Sequence, residues 1–313
     1  MNLQKIERTT NQKKLAKWAM TKRYLKSYRT EAVRRITEQD RLAFIAGFAD
    51  DYSVRLEAAK GLNDMELAQK TFTFVAKHGN AGDQLEAAEY LSDKSFAQEV
   101  LFKLIKNSCY NWEKAIDLLT NQNLLLELAR LDDEKIAGAA ARKIKDQNQL
   151  FDIIESSPYK YDKRNAALEN LTDQNLLMEL VKKHSDSVFG ESALKKIEDS
   201  SLLITIIKNK EYAVIFRLKA LLNMTGKRDA VNRILPEMIN ELNGLENEEK
   251  AEAYTLLYET ATTNPALLKA NWNLVTSWIA EPVHIDNHTD GGCAMHYDSG
   301  TNKKVSYKLP PYK

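Results

Sequence analysis

The sequence is poor in the residues that break or staple a chain. It holds 11 glycines and 6 prolines in 313 residues, too few turn formers for a protein built of many short strands. It has two cysteines, Cys109 and Cys293, which make no disulfide framework and suit a reducing compartment. No run of about 18 apolar residues is present, so no membrane-spanning helix is expected. The opening MNLQKIERTTNQKK lacks the apolar core of a secretory signal, and the expected location is the cytoplasm. Phosphate-binding loops of the G-x-x-x-x-G-K type, dinucleotide fingerprints and G-x-S-x-G nucleophile elbows are also missing, which leaves no small-molecule substrate or catalytic residue to name. With 43 % hydrophobic and 28 % charged residues, the chain reads as all-helical with material for a large core.

What is present is a repeat. Residues 119–128 read LTNQNLLLEL and residues 171–180 read LTDQNLLMEL. Intermediate copies share one pattern: an Ala-containing helix ending in Leu or Ile, an acidic or amide residue two positions later, then a second apolar helix. The anchoring residues are Ile36, Leu62, Leu91, Leu119, Ile144, Leu171, Ile197 and Leu222, followed by Glu38, Asp64, Asp93, Asn121, Asp146, Asp173 and Asp199. In the eighth copy Met224 breaks the pattern. A near-constant period of 25 to 29 residues between anchors marks a solenoid, in which each helix pair buries its apolar face against its neighbours. Asp146 and Asp173 sit at N-cap positions, and Gln149 follows Asp146 close to a capping box. Leu124, Leu125, Leu128 and Leu131 form one stripe, and Ile136, Ala140 and Ile144 another.

The phrases AVRRITEQDRLAFIA (32–46), YSVRLEAAKGLND (52–64) and DKRNAALENLTDQNLL (162–177) resemble bacterial HEAT-like repeats. In that family an Arg on the second helix often packs along the stack. Arg29, Arg55 and Arg164 fall seven residues before their anchors, whereas Gln84, Trp112, Ala137, Gly190 and Ile215 take that place elsewhere. The resemblance implies an all-α right-handed superhelix, an α-solenoid of about eight HEAT-like helix pairs. The expected organisation is a basic capping helix in residues 1–28, repeats in 29–225, longer capping helices in 226–281 (227–244, 248–263 and 265–280) and a His/Asp-rich tail in 282–313, irregular or a β-hairpin.

Residues 1–36 carry eleven Lys/Arg and two Glu, a net of +9 in a chain whose total is +1. The helix expected over 11–28 sets Leu15, Trp18, Ala19 and Leu25 inward and presents Lys13, Lys14, Lys17, Lys22, Arg23 and Lys26. That face reads either as a solvated cap or as a binding patch for phosphate or an acidic partner. In the tail, HIDNHTDGGCAMHYDSG (284–300) admits two readings. His284, Asp286, His288, Cys293 and His296 could ligate zinc or another divalent ion. Alternatively, a hairpin pairs His with Asp, with His284 facing Asp298, Asp286 facing His296 and His288 facing Ala294. His78 and His184 read as helix-end residues, and Cys109 as a buried structural thiol.

The functional expectation is a non-enzymatic scaffold holding a protein or peptide on the concave face of the solenoid. The alternative is a nucleic-acid-binding protein related to the HEAT-like alkylpurine DNA glycosylases, using the basic first helix. The HEAT-like bilin lyases share only the fold expectation.

Overall fold

The computed structural model describes residues 3–107, 111–157, 161–224 and 226–280, and the backbone of 283–285 and 303–305. The regular elements among the described residues are helices except for two three-residue strands, and the helices pack on their neighbours in chain order. That arrangement is compatible with a solenoid. Two compact units divide the chain, residues 1–170 and 171–313.

In the first unit a short helix α1 (Leu3–Glu7) precedes six helix pairs. The first helices of the pairs are α2 (Gln12–Met20), α4 (Gln39–Phe48), α6 (Met65–His78), α8 (Lys94–Lys106), α10 (Gln122–Ala129) and α12 (Gln147–Glu155). The second helices are α3 (Lys26–Arg34), α5 (Tyr52–Lys60), α7 (Ala81–Tyr90), α9 (Trp112–Leu118), α11 (Glu134–Ala141) and α13 (Tyr161–Asn170). The second unit holds the pairs α14 (Gln174–His184) with α15 (Val188–Leu194) and α16 (Ser200–Lys208) with α17 (Val214–Leu222). Longer helices follow, α18 (Arg228–Leu242) and α19 (Asn247–Thr263), then α20 (Pro265–Leu268) and α21 (Trp272–Ile279), with strands β1 (Val283–Ile285) and β2 (Lys303–Val305).

The expected anchors from Ile36 to Ile197 are buried, and the N-caps form as read: Asp146 accepts from the Gln149 amide at 2.9 Å and Asp173 from the Asn175 and Leu176 amides at 2.9 and 3.0 Å. Ile136, Ala140, Leu125 and Leu128 are buried in their stripes. The capping box at Asp146 does not close, because the buried Gln149 Oε1 accepts no hydrogen bond among the described residues.

One motif recurs along the stack that apolar periodicity does not reveal. In six of the first helices a glutamine among the first residues donates to the carbonyl just before an anchor and accepts from the amide just after it. Gln12 Nε2 reaches Arg35 O (3.2 Å) and its Oε1 takes Thr37 N (2.7 Å), bracketing Ile36. Gln39 brackets Leu62 through Gly61 O and Asn63 N, Gln69 brackets Leu91 through Tyr90 O and Ser92 N, and Gln98 brackets Leu119 through Leu118 O and Thr120 N. Gln122 does the same around Ile144, and Gln174 around Ile197. A helix end leaves its last carbonyls without intrahelical partners; here one side-chain amide fills both needs of the turn that leads to the next pair.

Five expectations are corrected. Residues 11–28 are not one helix: α2 stops at Met20, and α3 begins at Lys26. The cause is Arg29, which is buried and donates to Ala19 O at 2.8 Å, turning the end of α2 back toward α3. Leu25, read as inward, stands 64 % exposed at the N-cap of α3. The eighth anchor is Met224, 2 % exposed, rather than Leu222. Its amide bonds Leu221 O as Ile36 bonds Val33 O, and Arg217, seven residues earlier, donates to Ile207 O at 2.8 Å as Arg29 does to Ala19. Finally, residues 265–280 divide at a 3₁₀ turn, Lys269–Asn271, and β1 pairs antiparallel with β2 so that His284 lies opposite Lys304, not Asp298.

Candidate functional site

Among the described residues most of the large apolar side chains left exposed lie in the first pairs. On α4, Leu42, Ile45 and Ala46 face the core, yet Phe44 and Phe48 stand 56 % and 68 % exposed. Their spacing of one helical turn sets the rings together, with centroids 5.1 Å apart. At the position in α6 equivalent to Phe48 stands Phe74, also exposed, beside Tyr52, His78 and the guanidinium of Arg55.

Between α2 and α4 lies a cleft of about 490 Å³. Lys13, Ala16, Lys17 and Met20 line it from α2, and Asp40, Arg41 and Phe44 from α4, with Glu38 at its rim. Arg41 is held by Glu38 in an ion pair. Lys13 and Lys17 are exposed, one turn apart, and have no ion pair among the described residues.

The six cations expected on one face of the basic segment thus separate into groups. Lys13, Lys14 and Lys17 lie together on α2, exposed. Lys22 reaches Asp50 at 3.6 Å, and Lys26 reaches the buried Asp83 at 3.6 Å. The Arg23 guanidinium lies 5.5 Å from the centre of the Tyr24 ring. Asp50 also binds Arg29. Burial pushes the Asp50 carboxyl up, but the hydrogen bond and charge of Arg29 outweigh it and hold the group below the usual carboxylate range.

The second helices show the opposite character. Arg34 binds Glu57 at 2.8 Å and Glu31 at 3.5 Å; Lys60 binds Glu57 at 3.7 Å and also Glu86. Burial lowers the Lys60 ammonium pKa, but Glu86 and Glu57 more than restore it, raising it above the ordinary lysine value. This row of charges across α3, α5 and α7 is satisfied within the protein.

A second concavity of about 400 Å³ lies between α10, α12 and the start of α13, lined in part by Arg130, Asp132, Gln149, Asp152, Ser156 and Lys163. His78 and His184 end α6 and α14 as expected. Cys109 lies outside the described residues. So do Asp286, His288, Cys293 and His296; of the expected metal ligands only the backbone of His284 is described. Among the described residues no group of three or more His, Cys, Asp or Glu is placed to hold a metal ion, and no helix is long and apolar enough to cross a membrane.

Arg41, Met20, Phe44 and Phe48 were not singled out from the sequence. Their signal is the segment LAFIAGF, which carries two apolar stripes where a helix with one buried face needs one.

Comparison with protein families, with curated proteins and with solved structures finds no match for the chain in any of the three.

Proposed function

We propose that the protein is a non-enzymatic binding scaffold, a right-handed HEAT-like solenoid that holds a protein or peptide partner. The observation that carries this reading is the exposed aromatic surface of α4 and α6, Phe44, Phe48 and Phe74, beside the α2–α4 cleft. Contiguous exposed apolar surface on a protein marks a place where another molecule sits. The expectation of a partner on the concave face is narrowed in this reading to the first-helix face of α4 and α6, because the charges of α3, α5 and α7 are already paired with one another.

The test is affinity capture at about 150 mM salt, where exposed charges are screened beyond roughly 8 Å, with nuclease treatment and with a Phe44→Ser/Phe48→Ser variant. A defined protein retained after nuclease and lost with the variant is the expected result. Retention of nucleic acid alone, or capture indifferent to the double substitution, would overturn the reading.

A further inference from the structure

Resting on that binding reading, we propose that the α2–α4 surface takes an acidic amphipathic helix of a partner protein. The groove has two rows with the same spacing. Lys13 and Lys17 are one turn apart along α2, and Phe44 and Phe48 are one turn apart along α4. Side chains four apart on a helix lie about 5–6 Å from each other, so a helix laid along the groove meets both rows in register. Glutamates at i and i+4 on one flank face Lys13 and Lys17. Leucine or phenylalanine residues on the other flank cover the Phe44–Phe48 rings, and one apolar side chain enters the cleft between Ala16, Met20 and Phe44. This is the helix-in-groove mode of recognition, with anchors read at helical spacing.

The charges discriminate between acidic partners. Lys13, Lys14 and Lys17 can donate to carboxylates, and no ion pair among the described residues competes for them. The arginines of α3 and α4 that would grip phosphate in a bidentate fork are taken, Arg41 by Glu38, Arg29 by Asp50 and Ala19 O, and Arg34 by Glu57, while Arg23 lies against the Tyr24 ring. Asp40 and Glu38 also stand at the cleft. A polyphosphate backbone, with a charge on every unit, would be driven against them, whereas a peptide with spaced carboxylates passes them by. Duplex binding moreover wants a continuous basic stripe, and in these pairs Lys26, Arg34 and Lys60 of the second helices are paired with carboxylates.

The experiment uses the full chain and four fluorescent probes read by anisotropy or co-sedimentation. They are a 16-residue synthetic helix with a Leu/Phe stripe flanked by Glu, the same helix with every Glu replaced by Lys, a single-stranded DNA oligonucleotide, and vesicles of phosphatidylglycerol and phosphatidylcholine. The acidic helix is expected to bind at least about tenfold more tightly than its lysine counterpart, a difference readily measured as a ratio of Kd values. Lys13→Glu/Lys17→Glu should weaken the acidic helix at least tenfold and bring the lysine helix up. Phe44→Ser should weaken both. Because Lys13 and Lys17 are exposed, the charge reversal leaves the fold intact, which circular dichroism checks. Binding of DNA or vesicles in place of the acidic helix, or an acidic helix indifferent to the charge reversal, would overturn the proposal. If a captured protein is lost with Phe44→Ser/Phe48→Ser but kept with Lys13→Glu/Lys17→Glu, the scaffold reading stands and the acidic chemistry falls. If it is kept with both, the two fall together.

Discussion

The Gln174 side chain donates to Thr172 O at 3.0 Å and Lys196 O at 3.3 Å, and accepts from the amides of Glu198 and Asp199 at 2.7 and 3.1 Å. A net hydrogen bond contributes about 0.5–1.5 kcal/mol, so Gln174→Ala is expected to lower stability by about 1–2 kcal/mol in urea unfolding. Gln174→Glu should cost more than Ala, since it keeps the acceptor but sets a charge against two carbonyls. Glu241 offers a pH test at the same scale. The hydrogen bonds of Arg217 and then Lys210 lower its carboxyl to about 2. A folded pKa below the unfolded value contributes stability that is fully present above about 4.5 and is lost as pH falls toward about 2. Glu241 is one-third exposed, so solvent screening brings the gain to about 1 kcal/mol. Urea titrations of wild type and Glu241→Gln should therefore differ at pH 7 and converge as pH falls from about 4.5 to about 2. The glutamines themselves stand in plain view in both copies of the duplicated stretch. Their role was hidden because a glutamine in a first turn reads as an ordinary helix former, and its partners lie 20 to 26 residues further on, beyond any periodicity.

At the scale of the helix, apolar spacing and N-cap chemistry were enough to read the pairs, since the caps at Asn121, Asp146, Asp173 and Asp199 are local. The last repeat was misread because Leu222 makes the more ordinary anchor, and it takes the burial of Met224, its amide bond to Leu221 O and the Arg217 bond to Ile207 O to show that the register runs through Met224. The proposed docking surface was half legible: the charge excess picked out α2, but which lysines are drawn to Asp50 and Asp83 depends on contacts across pairs. Glycines separate two kinds of helix position. Gly47 lies in α4 with nothing within 4 Å of where a Cβ would stand, and Gly47→Ala is expected to stabilise by about 0.5–1 kcal/mol through helix propensity. Gly190 takes the place in α15 that Arg29 takes in α3, seven residues before the anchor. A Cβ there would lie 1.9 Å from His184 O, so the end of α14 would have to move. Gly190→Ala should cost about 3 kcal/mol or more. Thermal unfolding of the two variants checks both signs.

Across the first unit, each pair contacts the pairs beside it in the chain, and each turn between pairs is closed by a glutamine from the preceding first helix. Stability in such a stack is a sum of pair terms and nearest-neighbour terms. A lesion should therefore spread one pair and no further. Gln98 is the useful site, because its Oε1 takes both Thr120 N at 2.7 Å and Asn121 N at 2.9 Å while its Nε2 holds Leu118 O at 3.3 Å. In Gln98→Ala, hydrogen exchange should quicken at the Thr120 and Asn121 amides and in α9 and α10, with α2 and α3 unchanged. Local opening free energies in proteins range from near zero to the global value, so a change confined to the neighbouring pairs is measurable against a constant background. Faster exchange throughout the unit would mean that it opens as one cooperative body, and the glutamine would then stabilise the whole rather than a single turn. Confinement to α9 and α10 would leave the α2–α4 surface with unaltered geometry, so that Gln98→Ala should bind a partner at that surface as tightly as the wild type does.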